Sequence, residues 1–320
     1  MSIDIFFRGY ALQFTLKQLR YVDAALRTGS IAHAAREMNI SQSSISAAID
    51  ATETLMGVAL FHRMPAKGIR PTEAGVHATE KIAQFLSSAR ILESDLMSSK
   101  GVAVGSLRMG CYAPTAPFML PRILNSVRAA HPQVRVEMKE GDMENLVEFL
   151  NAGEVDVALT YRRVTPETMP FMPLFPAPPW ALIPEAWPLA QKPAVSLHDL
   201  AAEPMIMLDL ASTHHYFGQL FKARGLSPNI VYTTRSSSVL RGLVAANYGY
   251  SILNICGPQD RKEGAGYVCR PITGKLDTPS FGLAYTRAAR HTSIVSAMLS
   301  ICARLAQEGA FDDLVMAAET

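Results

Sequence analysis

The 320-residue sequence lacks the patterns that mark the common catalytic and metal sites. It contains no HExxH zinc motif and no GxxxxGK[ST] phosphate loop, and "GYSILN" lacks the second glycine of a GxSxG nucleophile elbow. His214 and His215 are adjacent, so their side chains point in different directions and make a poor pair of metal ligands. No pair of carboxylates stands out either. The sequence therefore predicts no enzymatic activity, no catalytic residues, no cofactor and no metal ion.

Cysteine is scarce, and the few residues stand far apart without a CxxC pair: Cys111, Cys256, Cys269 and Cys302. This usage is typical of reduced, partly buried thiols in a cytoplasmic protein, and we predict that state. A redox switch formed by Cys256 and Cys269 remains the alternative interpretation.

The chain also lacks long apolar runs and an excess of charge. Its first residues, "MSIDIFFRGYALQF", contain an early acid and no uninterrupted apolar core, so we expect no export signal and a cytoplasmic location. The longest stretch with few charges, between Arg163 and Glu185, is broken by prolines and cannot form a membrane helix. Because the net charge is only +2, binding to nucleic acid would require a local basic patch.

The first 60 residues carry the pattern of a helix-turn-helix. Leucines recur at helical spacing from Leu16 and the pattern stops at Gly29. Ser30 is a good N-cap for a short second helix, and Ser41 caps a third helix whose apolar residues share one face. Two short helices joined by a tight turn, the second capped and amphipathic, form this DNA-binding arrangement.

Polar side chains at the start of the third helix are candidates for contacts with DNA, because the outward face of such a helix reads base edges. They are Ser41, Gln42, Ser43, Ser44 and Ser46. Serine-rich helix starts also occur for capping reasons alone, which is the alternative interpretation.

Two short strands, "ALFHR" and "KGIRPT", follow around a turn and predict a wing. The wing carries Arg63, Lys67 and Arg70 without an acid among them, a cluster suited to phosphate oxygens. A solvated hairpin with ordinary surface charges is the alternative. The wing interpretation is favoured because the helix pair precedes it.

A long helix is predicted to begin at Thr72 and Glu73. Apolar residues at heptad spacing give it one continuous stripe: Ala78, Ile82, Phe85, Ala89, Leu92 and Leu96. Such a stripe predicts pairing with the same helix of another subunit. Packing against its own domain is the alternative.

These residues together resemble the LysR-type transcriptional regulator family. The resemblance is carried by "LKQLRYVDAALRTGSIAHAAREMNISQSSISAAIDATETLMGVALFHR" and "GIRPTEAG", and it continues through "GSLRMGCYAPTAPFMLPRILNSVRAAHPQVRVEM" and "LNAGEVDVALTY". It implies a linker helix that dimerises, a homotetramer built as a dimer of dimers, and binding to inverted-repeat DNA sites near promoters. It also implies a two-lobed domain, like that of periplasmic binding proteins, which binds a small-molecule effector. Ala47 and Asp50 depart from the family, which often has longer or basic residues there.

From about residue 104 onward, β-rich runs alternate with amphipathic helical segments, which indicates an α/β domain. "SLRMGC", "QVRVEMKEG" and "VDVALTY" predict the strands of one parallel lobe, and a second lobe repeats the plan from "PMIMLDL" to "YSILN". "SFGLAYTR" is predicted to return to the first lobe, with a closing helix over residues 293–308.

Ligands of paired lobes lie in the cleft at the carboxyl ends of the strands, next to helix N-termini. The candidate effector-binding residues placed there are Thr115, Thr160, Tyr161, Ser212, His214, Arg235 and Ser236. Hydroxyls, helix-start amides and one Arg or His suit a small carboxylate, so we expect an organic acid. For each residue taken singly, a role as an N-cap or a surface group is the alternative.

The predicted fold class is multidomain: an all-α winged helix-turn-helix DNA-binding domain, a long linker helix, and an α/β two-lobed effector-binding domain. The expected boundaries are an extension over 1–14, the DNA-binding domain over 15–73, the linker helix over 74–103, the effector domain over 104–311 and a tail over 312–320. Lobe I is expected at about 104–175 and 280–311, and lobe II at about 176–279. A transport solute-binding protein or an enzyme that uses the two-lobed domain is the competing function.

Overall fold

The computed structural model of the protein describes residues 13–64, 68–97, 103, 105–287 and 289–317. Most of the predicted N-terminal extension, and Lys67, lie outside these ranges. The chain divides into two compact units: Met1–Glu93 with Asn151–Glu154, and Ser94–Leu150 with Val155–Thr320. Among the described residues, none of the helices has the length and apolar character needed to cross a membrane.

The first unit contains the predicted helix-turn-helix and wing. Its elements are α1 (Leu16–Thr28), α2 (Ile31–Glu37), α3 (Gln42–Met56), β1 (Phe61–Met64) and β2 (Gly68–Pro71). The strands pair in antiparallel fashion, as predicted for a wing. The fully buried side chains of Val22, Ile45 and Leu60 lie in the core between helices and wing.

Local signals in the sequence set the ends of these helices. Gly29 ends α1 in the left-handed region at φ +62°, which costs glycine little because it has no Cβ. The Ser30 side chain accepts from the N–H of His33 at 3.3 Å, and Ser41 caps α3 in the same way. Asn39, with φ +54°, makes the turn between α2 and α3. The predicted caps at Ser30 and Ser41 are confirmed.

The linker helix α4 (Glu73–Met97) begins where predicted, because the Thr72 hydroxyl accepts from the N–H of Gly75 at 3.0 Å. Its apolar stripe is buried in its first part and exposed in its second part. Ala78 and Ile82 are buried in the core of the first unit, so the alternative interpretation, packing on its own domain, holds for them. Exposed apolar side chains continue the stripe: Phe85, Leu92 and Leu96 are 43%, 60% and 77% exposed.

The second unit is α/β. In chain order its elements are β3 (Gly105–Tyr112), α5 (Ala116–Ala130), β4 (Val134–Gly141), α6 (Met143–Asn151), β5 (Val157–Tyr161), β6 (Phe171–Pro176), β7 (Trp180–Pro184), α7 (Leu197–Ala201), β8 (Pro204–Leu208), α8 (Ala211–Lys222), β9 (Asn229–Thr234), α9 (Ser237–Ala245), β10 (Ser251–Leu253), β11 (Tyr267–Pro271), β12 (Ser280–Tyr285) and α10 (Ser293–Gln307). The strands and helices that the sequence predicts for this domain are all present.

Lobe I is a five-stranded sheet in the order β4-β3-β5-β12-β6, with α5, α6 and α10. β3 pairs in parallel with β4 and β5, whereas β12 is antiparallel to both β5 and β6. The predicted return of the chain to this lobe through β12 and α10 is therefore confirmed. The carboxyl ends of β3 and β5 meet at one edge of the sheet.

Lobe II contains the antiparallel sheet β10-β7-β11 and the parallel pair β8-β9, with α7, α8 and α9. Aromatic residues fill its core, including Tyr216, Phe217 and Phe221. The proline-rich run between Arg163 and Glu185 supplies β6 and β7, which no pattern in the sequence indicated. β6 tolerates Pro173 because it is the edge strand of its sheet.

Candidate DNA-binding and effector sites

The start of α3 presents polar side chains to solvent. Gln42 and Ser43 are exposed, while Ile45 and Ile49 on the opposite face are buried. The Ser41 hydroxyl accepts from the N–H of Ser44 at 3.2 Å, and its oxygen lies 2.8 and 2.9 Å from the Ser43 and Ser44 hydroxyl oxygens. Ser41 is thus a capping residue. Ser46 is half-buried one turn further along.

The two wing arginines within the described residues differ in their partners. Arg63 forms an ion pair with Asp50 of α3, and both side chains are more than half exposed. Arg70, which lies opposite His62 across the wing, is exposed and has no ion pair in the described part of the chain. The charge of Arg63 is therefore offset by an acid on the recognition helix. Sequence reasoning missed this pair because the two residues are 13 positions apart.

Glu53 of α3 holds the first strand of the wing in place. Its Oε1 accepts from the backbone N–H groups of Leu60 at 2.6 Å and Phe61 at 3.1 Å. Charge-assisted hydrogen bonds of this kind are stronger than neutral ones. They hold the first wing strand at a set distance from the α3 residues that face outward.

The cleft between the two lobes contains a small cavity of about 20 Å³, which is room for one water molecule. Its walls come from both lobes and include Tyr112, Thr115, Met143, Tyr161, Thr213 and Tyr216. Burial raises the pKa of Tyr161 well above its usual value and that of Tyr216 to about 12, so both phenols are neutral at physiological pH.

The predicted effector-binding residues are distributed unevenly around this cavity. Thr115 and Tyr161 line it. Thr160 is fully buried and does not line the cavity, and its hydroxyl has no hydrogen-bond partner among the described residues. The Nδ1 of His214 lies 3.0 Å from the Oδ1 of Asp209, and both side chains are about half exposed.

The remaining three predicted residues lie outside the cavity. The Ser236 hydroxyl accepts from the N–H of Val239 at 3.3 Å and caps α9. Ser212 and Arg235 both contact acidic side chains of lobe I. The Glu144 carboxylate accepts from the Ser212 N–H at 3.0 Å and from its hydroxyl, and Arg235 Nη2 lies 3.2 Å from Asp142 Oδ2.

Two arginines that sequence reasoning did not select face the cavity. Arg241 is held by Asp260 through two hydrogen bonds of 2.5 and 2.9 Å, and the Asp260 side chain is fully buried. Arg163 stacks on Tyr216, with 3.6 Å from its guanidinium carbon to the ring centroid. Its ion pair with Asp277 is a single contact of 3.2 Å, and the Asp277 side chain is 74% exposed.

Arg163 also borders a larger groove of about 700 Å³. The groove is lined by residues of both lobes, including Glu144, Arg163, Ser212, Tyr216, Arg224 and Lys275. Arg163 and Tyr216 therefore line both the small cavity and the groove. The signal in the sequence is the pair Arg162 and Arg163, which directly follows the predicted strand "VDVALTY".

All four cysteines are buried and carry free thiols. Burial raises the pKa of Cys111 and of Cys302 to about 12. A hydrogen bond with Cys256, together with burial, raises the pKa of Cys269 far above its usual value. Within the described ranges, His, Cys, Asp and Glu form no group of three or more that could hold a metal ion.

Two family models match the chain. "Bacterial regulatory helix-turn-helix protein, lysR family" matches residues 16–76, and "LysR substrate binding domain" matches residues 100–307. Both resemblances drawn from the sequence, to the DNA-binding head and to the effector domain, are thereby confirmed.

Curated relatives and solved structures agree with these matches. The RuBisCO operon transcriptional regulator of Allochromatium vinosum is 29% identical over 87% of this chain and 92% of its own length. The DNA-binding transcriptional dual regulator OxyR of Escherichia coli is 25% identical over 84% of this chain and 88% of its own length. Because these relatives are transcriptional regulators, the prediction that the chain is not an enzyme is confirmed.

Among solved structures, a LysR family transcriptional regulator from Pseudomonas aeruginosa, HinK, is 31% identical, covers 91% of this chain and 98% of its own, and has a TM-score of 0.59. Full-length OxyR C199D from Pseudomonas aeruginosa is 20% identical over 90% of this chain and 94% of its own, with a TM-score of 0.73. The second likeness concerns the fold alone.

Proposed function

Because this chain belongs to the LysR family of transcriptional regulators, with a helix-turn-helix DNA-binding domain and an effector-binding domain, we propose that an organic acid controls it by binding between the two lobes with its carboxylate on Arg163. The supporting observation is the weak hold on this arginine. Within the described part of the chain its one acidic partner is Asp277, which is mostly exposed and contributes a single contact, so an incoming carboxylate can replace it. A bidentate Arg–carboxylate pair is stronger than that contact.

The rest of the cavity suits the body of such a ligand. Tyr112, Tyr161 and Tyr216 supply aromatic surface, and Thr115 supplies a hydroxyl near the end of β3. Arg241 is less suited to the carboxylate because the buried Asp260 already neutralises it. Since the cavity has room for one water molecule, the lobes must separate to admit the body of the effector there, whereas Arg163 already borders the larger groove.

We propose that DNA is read by the start of α3 and by the wing. The proposed contacts are Ser41, Gln42, Ser43, Ser44, Ser46, Arg63, Lys67 and Arg70, of which Lys67 lies outside the described residues. The target is an inverted repeat near a promoter, because a symmetric dimer presents two equal heads. The exposed apolar side chains of α4, Phe85, Leu92 and Leu96, support a homodimer through this helix and a homotetramer built from two dimers. A cytoplasmic location follows from the DNA target.

Effector control requires that the acid binds two arrangements of the lobes with different affinity. The effector then shifts the population toward the arrangement it prefers, and the DNA-binding heads respond to that shift. By linkage, DNA changes the affinity for the effector by the same factor.

The test is a thermal-shift screen of small organic acids on the full chain. A ligand present at about 100 times its Kd stabilises a protein by about 2.7 kcal/mol, which raises Tm by several degrees. We expect the best stabiliser to lose its effect on Arg163→Ala and to keep it on Arg235→Ala, a control that removes the same charge from the same unit. An unchanged effect on Arg163→Ala would refute the assignment of the carboxylate to Arg163.

A further inference from the structure

The segment "GDMEN", residues 141–145, carries two carboxylates from lobe I onto lobe II. Asp142 contacts Arg235, and its other oxygen accepts from the N–H of Asn145 at 2.9 Å. Glu144 contacts Ser212 through both the backbone N–H and the hydroxyl. Met143, between the two acids, is buried and lines the cavity. A single short segment therefore makes three polar contacts across the cleft.

These contacts use the polar groups that were predicted from the sequence to bind a carboxylate. Ser212 lies in the first turn of α8, where backbone N–H groups have no partner within the helix and favour an anion. The Glu144 carboxylate accepts from one such N–H at 3.0 Å and from the hydroxyl of the same residue. Asp142, whose side chain is 15% exposed, forms an ion pair with Arg235. In this structure, the carboxylates that contact Ser212 and Arg235 belong to the chain itself.

We propose that Glu144 is a specificity-determining residue of the effector cleft. Its carboxylate is a built-in ligand of Ser212, supported by Asp142 on Arg235, and it leaves Arg163 as the position at which an anionic effector is accepted. This inference rests on the proposed function, because it concerns the same cleft. It predicts that removing the Glu144 carboxylate opens a second anion subsite.

The surroundings of Glu144 support a binding role for its carboxylate. One residue beyond Ser212, the Thr213 hydroxyl lies 2.8 Å from that of Tyr112, so the lobes are in direct contact next to the carboxylate. Glu148, one turn further along α6, offers a comparison. It is exposed and has no hydrogen bond or ion pair within the described part of the chain. The two glutamates share a helix and differ in this contact.

The test is chemical rescue of Glu144→Ala in the full chain. This substitution removes the CH₂–COO⁻ part of the side chain, and acetate has the same atoms. Thermal unfolding is followed in sodium acetate and in sodium chloride at equal concentration. We expect the variant to unfold about 3 °C below the wild type in chloride, and acetate to restore more than half of this loss. Wild type and Glu148→Ala should respond equally when chloride is replaced by acetate, and less than Glu144→Ala does.

Acetamide distinguishes an anion site from an empty space, because it has nearly the same shape without the charge. Rescue by acetate and not by acetamide supports the proposal. Equal rescue by both, or no greater effect of acetate on Glu144→Ala than on Glu148→Ala, would overturn it. If Glu144→Ala does not fold, Glu144→Gln replaces it in the test. Its amide fills the subsite, so any specific stabilisation of that variant by acetate would also overturn the proposal.

The double variant Glu144→Ala/Arg163→Ala separates this inference from the proposed function. Acetate at Ser212 does not require Arg163, so rescue should persist in the double variant. Loss of rescue there would overturn the assignment of Ser212 as a separate subsite. Failure of every organic acid to stabilise the wild type would instead refute the proposed function, and the rescue result would stand apart from it.

Discussion

Single residues decide how much charge the DNA-binding head offers to DNA. Asp50 lies on the recognition helix and pairs with Arg63 of the wing, so one of the proposed phosphate contacts is already engaged. Such an exposed pair contributes little to stability. Its consequence lies in binding, because a phosphate must compete with Asp50 for the arginine.

We expect Asp50→Asn to strengthen binding to random-sequence duplex DNA and to make its salt dependence steeper. Each additional phosphate neutralised changes the slope of log K against log salt by about −0.9. Titrations of a labelled duplex at several salt concentrations measure this slope. Glu37→Gln is the matched control, since it frees Arg27 of another exposed pair in the same unit with the same change of charge. Equal slopes for the two variants would contradict the interpretation.

The cysteine residues give a second prediction at this scale. All four thiols are buried, and the pKa of Cys111 and Cys302 is near 12 while a hydrogen bond and burial raise that of Cys269 far above its usual value, so almost none of these last three is a thiolate at pH 8. We therefore expect slow modification of the native protein by a thiol reagent at pH 8, and modification of four thiols in denaturant. Rapid modification of Cys256 or Cys269 in the native state would favour the redox-switch alternative instead.

At the scale of elements, the helices were predictable because their end signals are local. Ser30, Gly29 and Ser41 cap or end helices within the few residues that a sequence pattern covers. β6 and β7 were not predictable in this way, because the prolines within and around them obscure the alternation of apolar and polar residues that marks a strand. β6 pairs with β12, and β7 pairs with β10 and β11; all three partner strands lie far along the chain.

The linker helix supplies the prediction for this scale. Leu92→Ser/Leu96→Ser removes exposed apolar side chains that continue the heptad stripe, so the dimer should weaken while the fold of each unit is retained. Sedimentation equilibrium would report a Kd for the dimer that is raised at least about tenfold, since burial of one leucine contributes about 1.5–3 kcal/mol.

Val76→Ser is the matched control, because Val76 is 59% exposed on the same helix and does not belong to the stripe. We expect it to leave the dimer unchanged. Dissociation of both variants to the same extent would show that the stripe has no special part in association.

At the scale of the whole molecule, the family and the two-lobed plan were evident from the sequence, whereas the cleft chemistry was only partly so. Thr115 and Tyr161 line the cavity because Thr115 follows the carboxyl end of β3 and Tyr161 is the last residue of β5. The engagement of Ser212 by Glu144, across 68 positions, and of Arg235 by Asp142, across 93, depends on how the lobes meet. Such pairing leaves no local pattern.

The most direct test of effector control is a DNA-binding titration. A duplex is selected by the full chain from a randomised library, and its Kd is measured by fluorescence anisotropy with and without the organic acid that best stabilises the protein. We expect the acid to change the Kd of the wild type about fivefold or more and to leave that of Arg163→Ala unchanged. An equal change in both proteins, or no change in the wild type, would contradict it.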